Sequence, residues 1–386
     1  MEPEFTPEQA AIVGTVRGFV EREVRPVAAA MDEDHRLPDG IWKRMGELGL
    51  LGINIPERWG GSGADLLTGA LVGEEIAKGS ASLALSYGAH SNLCAHNLSR
   101  NGNDDQRGRY LPGLCSGDLI GCMALTEPGA GSDAVGITTV AVADGESYVL
   151  NGRKTFITNG PIADVGIVYA KTDKAAGPRG ITAFLVERGF PGFSTTKPLA
   201  KMGHRGSPTC DLVFEDCRVP AANVLCRVNL GIQVMIGGLD VERAFFASGA
   251  VGMAERAFEL AVAYARERRQ FGKPIASFQL IQAKIADMYT GIEAARLLAR
   301  RAAVMADQAE RGGAGTEVHK IGAAALLFAA ETALMVVDHA VQIHGGYGYC
   351  DEYEVSRLFR DARLFTIGAG TSEVRRLVIA EEVLRG

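Results

Sequence analysis

Residues 140–160 read VAVADGESYVLNGRKTFITNG, and here the chain changes from a helical to an extended period. Short apolar or alternating runs are separated by dipeptides that favour tight turns. The dipeptides are Asp144-Gly145, Asn151-Gly152 and Asn159-Gly160, and the runs lie at 140–143, 148–150, 156–158, 165–170, 181–186 and 212–214. The sequence therefore predicts a compact β domain over residues 121–226.

Helical periodicity flanks this region on both sides. Thr6, Pro7 and Gln9 read as a helix start, with Thr6 as the N-cap and Gln9 closing a capping box, and helical patterns continue to about residue 118. Long helical segments follow at 231–268, 275–311, 316–344 and 353–384. Their number and length are those of a four-helix bundle. We therefore predict an α+β fold, mostly α, divided into units at 1–120, 121–226 and 227–386.

Composition is that of a globular protein of two or three domains. The 386 residues are 47% apolar and 22% charged, unlike disordered or collagen-like chains. Forty basic and 46 acidic residues give a net charge of −6, without a dense Lys/Arg run, so the electrostatic footprint of a nucleic-acid-binding protein is missing. We expect small molecules or proteins as partners, and no nucleic acid.

No membrane or targeting segment is predicted. The longest apolar run, 321–337, contains Glu331 and is shorter than the ~20 residues that span a bilayer, which favours a buried helix. The first residues, MEPEFTPEQA, lack the apolar region of a signal peptide and the arginine-rich composition of a transit peptide. We expect a cytoplasmic bacterial protein, with the mature form of a mitochondrial matrix protein as the second choice.

Cysteine and histidine spacing argues against metal and disulfide chemistry. Seven cysteines without a C-x-x-C pair indicate reduced, partly buried thiols. The pairs His90/His96 and His339/His344 lack the i,i+4 spacing of helical metal ligands, so no metal is expected. Motifs of dinucleotide-binding folds, P-loop NTPases, zinc peptidases and nucleophile-elbow hydrolases are also missing.

Three glycine-rich stretches and one helix are candidates for a functional site. Residues 123–133, MALTEPGAGSD, run from a strand into a loop whose N–H groups and hydroxyls suit a phosphate or a polar ring edge. An ordinary turn without a ligand is equally compatible with this sequence. QIHGGYGY (342–349) and IGAGTSE (367–373) place small residues at helix ends, which admits a ligand closely or simply caps the helix. The arginines before Phe271 are equally explained by a helix C-terminus.

The helix around Glu242 carries a carboxylate where its period calls for an apolar residue. Ile236 and Phe246 share its face, and the neighbours three and four positions away are not basic. Asp240, by contrast, has Arg243 at i+3, which predicts a surface pair. Burial without a partner raises a carboxyl pKa and suits a general base near neutral pH. A helix rotated so that Glu242 meets solvent or a distant arginine is the alternative.

Together these stretches resemble the acyl-CoA dehydrogenase family over essentially the whole chain and in the same order. The tracts MALTEPGAGSD, FITNG (156–160), RRQFGKPI (268–275), QIHGGYGY and GTSEVRRL (370–377) all look like signatures of that family. The resemblance implies an N-terminal helical domain, a central β-barrel-like domain and a C-terminal four-helix bundle. It also implies FAD held between these domains and across a subunit contact, in a homotetramer.

One departure bears on the catalytic base. Most members of the family carry a catalytic glutamate two residues before the Thr of the last-helix motif, and that position here is Ala369. The chain instead resembles the isovaleryl-CoA dehydrogenase branch, whose base lies in a G-L-D-x-E-R segment; residues 238–243 read GLDVER. The resemblance implies that Glu242 removes an α-proton of the thioester while the β-hydrogen leaves as hydride to flavin N5. Isovaleryl-CoA would become 3-methylcrotonyl-CoA.

The other site residues of the family are carried over position by position. Those expected to contact FAD are Leu125, Thr126, Ser132, Phe156, Thr158, Arg268, Gln279, Gln342, Gly345, Gly346, Thr371 and Glu373. Those expected on the acyl-CoA side are Ser132, Arg179, Asp240, Arg243, Gly368, Ala369 and Gly370. Arg268 and Gln279 are expected to reach the FAD diphosphate of a neighbouring subunit.

The resemblance also implies electron transferring flavoprotein as the acceptor of the electrons. Gly368 and Ala369 are small and leave room for a branched acyl chain. Phe246 is bulkier than the aliphatic residue expected in an isovaleryl-CoA enzyme, which leaves the acyl-chain preference open. The alternatives are a sister dehydrogenase for another branched or terpenoid acyl-CoA, an oxidase on the same fold, and a non-catalytic relative.

Overall fold

The first third of the protein is helical in the computed structural model, which describes residues 5–312 and 317–385. The predicted capping box is present at the start of α1 (Pro7–Phe19): the Thr6 hydroxyl accepts the Gln9 N–H, and the Thr6 N–H donates to the Gln9 side chain. The helices that follow are α2 (Ala28–Glu33), α3 (Ile41–Glu47), α4 (Leu66–Gly79), α5 (Ala81–Gly88), α6 (Asn97–Asn101) and α7 (Asp104–Ser116). Val20–Val24 and Ala89–His96 are π-helical.

A mixed sheet forms the middle of the chain, as predicted. Its strands are β1 (Gly121–Ala124), β2 (Val140–Asp144), β3 (Ser147–Thr158), β4 (Val165–Lys171), β5 (Ile181–Glu187), β6 (Phe193–Thr195), β7 (Thr209–Pro220) and β8 (Val224–Leu225). Their order is β6-β7-β3-β2-β4-β5-β8, and β1 pairs in parallel with β4. β2 and β3 form a hairpin at the predicted turn Asp144-Gly145.

The turn predicted at Asn151-Gly152 is wrong. β3 continues through it, because the residues on both sides pair with the same neighbouring strand, β7. The register shifts between Leu150 and Gly152, where two residues of β7, Glu215 and Asp216, face Asn151 alone, so the dipeptide lies opposite a β-bulge in β7 instead of forming a hairpin. A side chain at Gly152 would also collide with Thr139.

Three long helices dominate the C-terminal region: α8 (Gly231–Glu267), α9 (Gln279–Glu310) and α10 (Val318–His344). A short hairpin of β9 (Arg269–Gln270) and β10 (Lys273–Pro274) follows α8, so α9 begins at Gln279 and not at residue 275. The predicted start of the next segment, residue 316, lies outside the described residues.

The single helix predicted over 353–384 is wrong. Two helices, α11 (Glu354–Ala362) and α12 (Ser372–Arg385), occupy this segment. Between them Ala369 and Gly370 have φ values of 53° and +90°, and a left-handed backbone cannot continue a right-handed helix. Helix α12 then starts anew at Thr371, whose hydroxyl accepts the Val374 N–H as an N-cap.

Helix α8 is central to the packing. It contacts α4, α9, α10 and β5. Alanines such as Ala250, Ala254 and Ala299 are buried among these helices, and small side chains let helix axes approach closely. Because one helix packs against both the N-terminal helices and the sheet, the division of the chain after residues 120 and 226 stays a prediction.

Among the described residues one helix, Val318–Tyr349, has the length and composition to cross a membrane. Its mean hydropathy is 1.8, and 61% of its apolar window is buried within the protein. It packs against α8, α9 and α12. A buried core helix has the same apolar character.

Candidate active site

Glu242 lies on α8 with its carboxyl buried. Only 6% of the residue is exposed, and burial raises the pKa of the carboxyl to about 8, an effect that the nearby Asn92 side chain opposes. No cation in the described part of the chain contributes to this pKa, so the alternative of solvent or a distant arginine is excluded. The buried, unpaired carboxyl expected from the sequence is present; its role as a base stays a prediction.

The carboxyl fits beside the end of α5 because Gly88 has no side chain. A Cβ at Gly88 would lie 3.8 Å from Glu242 Oε1 and 3.0 Å from the Phe245 ring. The Phe245 ring packs on Tyr87, with 5.5 Å between ring centroids. The Glu242 carboxyl therefore lies in a tight, mostly apolar environment between α5 and α8.

The turn 368–370 faces Phe246, one helical turn after Glu242. A Cβ on Gly368 would lie 3.3 Å from the Phe246 ring. That ring packs on Phe365 with 4.5 Å between centroids, and both phenylalanines are buried. Two aromatic rings thus form a wall beside the turn that the sequence assigns to the acyl-CoA side.

Arg375, which the sequence prediction missed, holds this turn. Its side chain is buried, and Nη2 donates to the carbonyl oxygens of Phe365, at 2.8 Å, and Gly368. Nε and Nη1 have no partner among the described residues. Burial, followed by the nearby Arg243, lowers the pKa of Arg375 to about 10. In the sequence Arg375 was one of two adjacent arginines, and nothing marked it as the buried one.

Asp240 and Arg243 form the predicted ion pair, but not on the surface. Arg243 Nη1 donates to Asp240 Oδ1 at 3.1 Å, and their side chains are 7% (Arg243) and 16% (Asp240) exposed. The reason is α10: a Cβ on Gly322 would lie 3.5 Å from the Arg243 Cβ, so that helix covers the pair. Ile236, predicted on the buried face, is 43% exposed, so that face begins only after it.

Several of the predicted FAD contacts gather where residues 125–139 fold over the end of β3. The Thr155 N–H donates to the Thr126 carbonyl at 2.8 Å, which brings Thr126 next to Phe156. Phe156 is 68% exposed with φ 60°, a strained conformation that proteins keep mainly at functional sites. Leu125 is buried, Thr158 is half-buried and Ser132 is exposed in the loop.

A buried ion pair, also missed, holds this loop. Lys154 is fully buried, and its Nζ donates to Glu127 Oε1 at 2.8 Å and to the Leu125 carbonyl at 3.0 Å. Glu127 also accepts the backbone N–H groups of Thr138 and Thr139. Burial opposes ionisation of Glu127, but Lys154 and these donors lower its pKa to about 2. The pair was missed because a turn was wrongly predicted at Asn151-Gly152, and a lysine beside a turn is ordinarily exposed to solvent.

A second set of predicted FAD contacts lines a cleft beyond the end of α8. Arg268, Gly345 and Gly346 share a cleft of about 450 Å³ with Tyr347. The Arg268 guanidinium lies 5.5 Å from the Tyr347 ring centroid and forms no ion pair within the described ranges. A Cβ at Gly345 or Gly346 would meet no atom within 4 Å. An unpaired guanidinium beside open backbone fits a diphosphate group.

The remaining predicted residues are more scattered. Gln279 begins α9 and Gln342 lies in the last turn of α10; both are exposed. Glu373 is in the first turn of α12, next to its N-cap Thr371. Arg179 is exposed on the 3₁₀ turn Gly177–Gly180. In the part of the chain that the structure describes, no hydrogen bond joins the cleft at Arg268 to the loop 125–139.

The buried, mostly apolar surroundings of Glu242 suit removal of a proton from an apolar substrate. A buried carboxyl with a raised pKa is a competent general base near neutral pH. Among the described residues, the N–H groups of Ala369 and Gly370 on the turn 368–370 have no backbone acceptor, and Arg375 fixes that turn through two carbonyl groups. Such donors stabilise negative charge that develops on a carbonyl oxygen.

Known proteins match this chain over its whole length. Three family descriptions match in succession: Acyl-CoA dehydrogenase, N-terminal domain, at residues 6–118, the middle domain at 122–217 and the C-terminal domain at 229–384. The mitochondrial isovaleryl-CoA dehydrogenase of Pongo abelii is 48% identical over 379 residues, 97% of this chain and 88% of that protein.

Solved structures match equally closely. Butyryl-CoA dehydrogenase from Megasphaera elsdenii has a TM-score of 0.95 and 40% identity, covering 100% of both chains. A chain from a structure of the electron transferring flavoprotein of Acidaminococcus fermentans has a TM-score of 0.96 and 40% identity, again over 100% of both chains.

Proposed function

The chain belongs to the acyl-CoA dehydrogenase family, and we propose that it oxidises isovaleryl-CoA to 3-methylcrotonyl-CoA with Glu242 as the base. As a member of that family it is an FAD-dependent oxidoreductase acting on acyl-CoA. One observation carries the proposal: Glu242 is a buried carboxyl with a pKa raised to about 8, in a chain whose residue 369 is alanine.

The environment of Glu242 accounts for proton abstraction. A hydrogen next to a thioester is weakly acidic, so its removal needs a base whose conjugate acid holds the proton near neutral pH. Burial gives Glu242 this property. The Gly368 N–H already donates to the Leu364 carbonyl at 2.8 Å, so the N–H groups of Ala369 and Gly370 are the donors that the turn offers to the thioester carbonyl, where charge accumulates as the proton leaves. FAD, when bound, accepts the β-hydrogen as a hydride.

Two groups of residues are proposed to hold FAD. In the first group, Leu125 offers an apolar contact and Thr126 a polar one, beside the exposed ring of Phe156. In the second group, Arg268 offers a cation beside the open backbone of Gly345 and Gly346. The proposed cofactor site is completed by Ser132, Thr158, Gln279, Gln342, Thr371 and Glu373. On the acyl-CoA side we place Arg179, Asp240 and Arg243.

The residues beside the turn 368–370 bear on the choice of acyl group. Gly368 and Ala369 are small and favour a branched chain, but the Phe246 ring lies beside them. That ring favours a second candidate, a shorter acyl-CoA of the kind that gives the Megasphaera elsdenii enzyme its name. Another branched or terpenoid acyl-CoA is a third candidate, and assays with all of them give the preference as kcat/KM.

Three further features follow from the resemblance and are proposed with it. Electron transferring flavoprotein is the proposed acceptor, and a matching chain comes from a structure of that protein's system. A homotetramer is the proposed assembly. The bacterial cytoplasm is the proposed location, with the mitochondrial matrix second, since relatives include both bacterial and mitochondrial proteins.

Replacement of Glu242 tests the function directly. Glu242→Gln should bind FAD and acyl-CoA but lose turnover by about a thousandfold, because the amide cannot accept the proton. The assay uses purified yellow protein, an acyl-CoA panel and an artificial electron acceptor. Glu259→Gln is the matched control, since Glu259 lies on the same helix and pairs with Lys78. Near-normal turnover of Glu242→Gln contradicts the proposal, and a colourless protein would favour a non-catalytic relative.

A further inference from the structure

The π-helical segment Ala89–His96 lies between α5 and α6 and packs against β1 and α8. π-helical turns are uncommon and concentrate at functional sites, because they redirect side chains away from the path of a regular helix. Asn92, which is 3% exposed, lies about one turn after Gly88, where a Cβ would be 3.8 Å from Glu242 Oε1, so the segment brings Asn92 to the carboxyl of Glu242. A costly local conformation thus coincides with a polar contact to the candidate base.

Asn92 and Glu242 carry complementary unpaired atoms. Asn92 Nδ2 is a donor and Glu242 Oε2 an acceptor, and neither has a well-formed hydrogen bond among the residues described. The two side chains are still near enough for a hydrogen bond from Asn92 to counter the effect of burial on the Glu242 pKa. Since buried unpaired donors and acceptors are unfavourable, a small rotation that joins these two atoms is favoured.

A small cavity gives the carboxamide room for that rotation. Its volume is about 10 Å³, and Asn92 and Asn54 are its polar lining residues. Asn54 Nδ2 is already committed to the carbonyl oxygens of Ala64 and Asp65, at 3.1 and 2.6 Å. The remaining lining is apolar, so the cavity offers Asn92 no other polar side chain, and the unpaired Glu242 Oε2 outside it is the acceptor we assign to Asn92.

The ionisable groups on the elements around α8 have other partners. Tyr87 is hydrogen-bonded to the Leu50 carbonyl, and His90 to the Leu114 carbonyl and the Gly121 N–H. The ion pairs are His96 with Glu310, Glu74 with Arg296, Glu75 with Arg17, and His319 and Arg243 with Asp240. Arg300 lies over the Phe5 ring. None of these groups contributes to the shift of the Glu242 pKa. Asn92 is therefore the polar side chain through which the protein acts on this carboxyl.

We propose that Asn92 is a positioning residue for the base: its Nδ2 donates to the Glu242 carboxylate, fixes the orientation of that carboxylate and stabilises its ionised form. The inference rests on the proposed role of Glu242. A hydrogen bond to the charged form of an acid favours that form. Burial alone would leave too little ionised base at neutral pH, and Asn92 restores part of it.

Replacement of Asn92 by leucine removes the donor at nearly constant size. The acid limb of the kcat/KM profile of Asn92→Leu should move up by about one pH unit. Turnover at neutral pH should fall about tenfold and recover as pH rises. Asn92→Asp places a like charge beside Glu242 and should move the limb further. An infrared titration of the Glu242 carboxyl band, identified by its loss in Glu242→Gln, should show the same shifts in ligand-free protein.

A second asparagine provides the control. Asn97 is also buried and contacts Tyr169 Oη at 3.5 Å, so Asn97→Leu should leave the acid limb and the band in place. An unshifted limb and band in Asn92→Leu with full FAD content would overturn the inference, as would an equal shift in Asn97→Leu. If Asn92→Leu does not fold, Asn92→Asp decides. Activity in Glu242→Gln refutes the base itself; an inactive Glu242→Gln without a shift in the Asn92 series refutes only this inference.

Discussion

Phe246 occupies the space between Phe365 and the turn 368–370, one helical turn from Glu242. Its ring is buried and lies 3.3 Å from where a Cβ on Gly368 would be. Because interiors are close-packed, a ring at this position limits the volume left for an acyl group. A smaller aliphatic side chain would add the missing volume at the end of the pocket. We therefore expect the preference between branched and shorter chains to depend on this residue.

Leucine at position 246 should shift the preference toward the larger substrate. For Phe246→Leu we expect the ratio of kcat/KM for isovaleryl-CoA over butyryl-CoA to rise about tenfold, the usual effect of one or two methylene groups in an apolar pocket. Phe258→Leu is the control, because Phe258 lies farther along α8 and packs on Tyr289. An unchanged ratio in Phe246→Leu would mean that the acyl group does not reach this ring.

Among single residues, local period predicted only part of the site. Glu242 was found because its helical neighbours are apolar, which is a property of adjacent sequence. Asn92 was not found because it lies far from Glu242 in the chain, and Arg375 was not found because its acceptors are backbone carbonyl groups of the preceding turn, Phe365 and Gly368. Periodicity carries no information about such pairs, and a buried arginine or asparagine looks the same in sequence as an exposed one.

At the scale of elements, β3 and the loop 125–139 depend on one buried ion pair. Lys154 and Glu127 are both fully or nearly fully buried, and Lys154 also binds the Leu125 carbonyl. The lowered pKa of Glu127 means that its ionised form stabilises the fold at pH above its unfolded value, up to the pH near 8 at which Lys154, whose own pKa burial lowers, loses its proton. That contribution is lost as pH falls toward about 2, where the folded carboxyl titrates.

Removal of Lys154 should be much more damaging than removal of a surface lysine. Lys154→Met leaves Glu127 buried without its counter-ion and should lower the free energy of unfolding by about 3–5 kcal/mol. Lys43→Met, which breaks an exposed pair with Asp118, should change it by less than about 1 kcal/mol. Chemical denaturation of both variants measures the difference. Adding Glu127→Gln to Lys154→Met should restore part of the loss; no restoration would argue against an unpaired charge as the cause.

Two elements differed from their predicted form for related reasons. Asn151-Gly152 is a frequent hairpin signal, but the flanking runs share β7 as a partner, and partner choice is not local. The segment 353–384 has a helical period throughout, but Ala369 and Gly370 turn left-handed. Gly370 indicated that the helix could break here, whereas Ala369 did not, because alanine rarely adopts a left-handed conformation. The order of helical and extended regions, which depends only on local period, was predicted.

At the scale of the whole molecule, the length of α8 separates the proposed base from the Arg268 cleft. Glu242 and Arg268 are 26 residues apart along one helix and its end, which corresponds to roughly 39 Å at the rise of an α-helix. That separation exceeds the reach of one FAD molecule. We therefore expect the base and the Arg268 cleft of one chain to serve two different cofactors, which requires a second subunit.

Mixed oligomers test this arrangement. Arg268→Met should weaken FAD binding about tenfold, since it removes a charge-assisted hydrogen bond, while Arg266→Met should not. At limiting FAD, Glu242→Gln and Arg268→Met should each be nearly inactive alone but regain activity when co-expressed, because a mixed oligomer contains sites with both residues intact. Flavin absorbance and turnover of the purified mixtures are the measurements. Absence of any recovery in a verified mixed oligomer would contradict the shared site.

Because residue 369 is alanine and the proposed base lies on α8, proton abstraction and the shape of the turn beside the acyl group depend on different elements of this chain. In a chain with a glutamate on the turn 368–370, any change that reshapes the turn for another acyl group also moves the base. Here the turn is held by Arg375 and its own backbone, and Glu242 is fixed within α8. The turn can therefore accumulate substitutions during evolution, and new acyl specificities can arise, without disturbing proton abstraction.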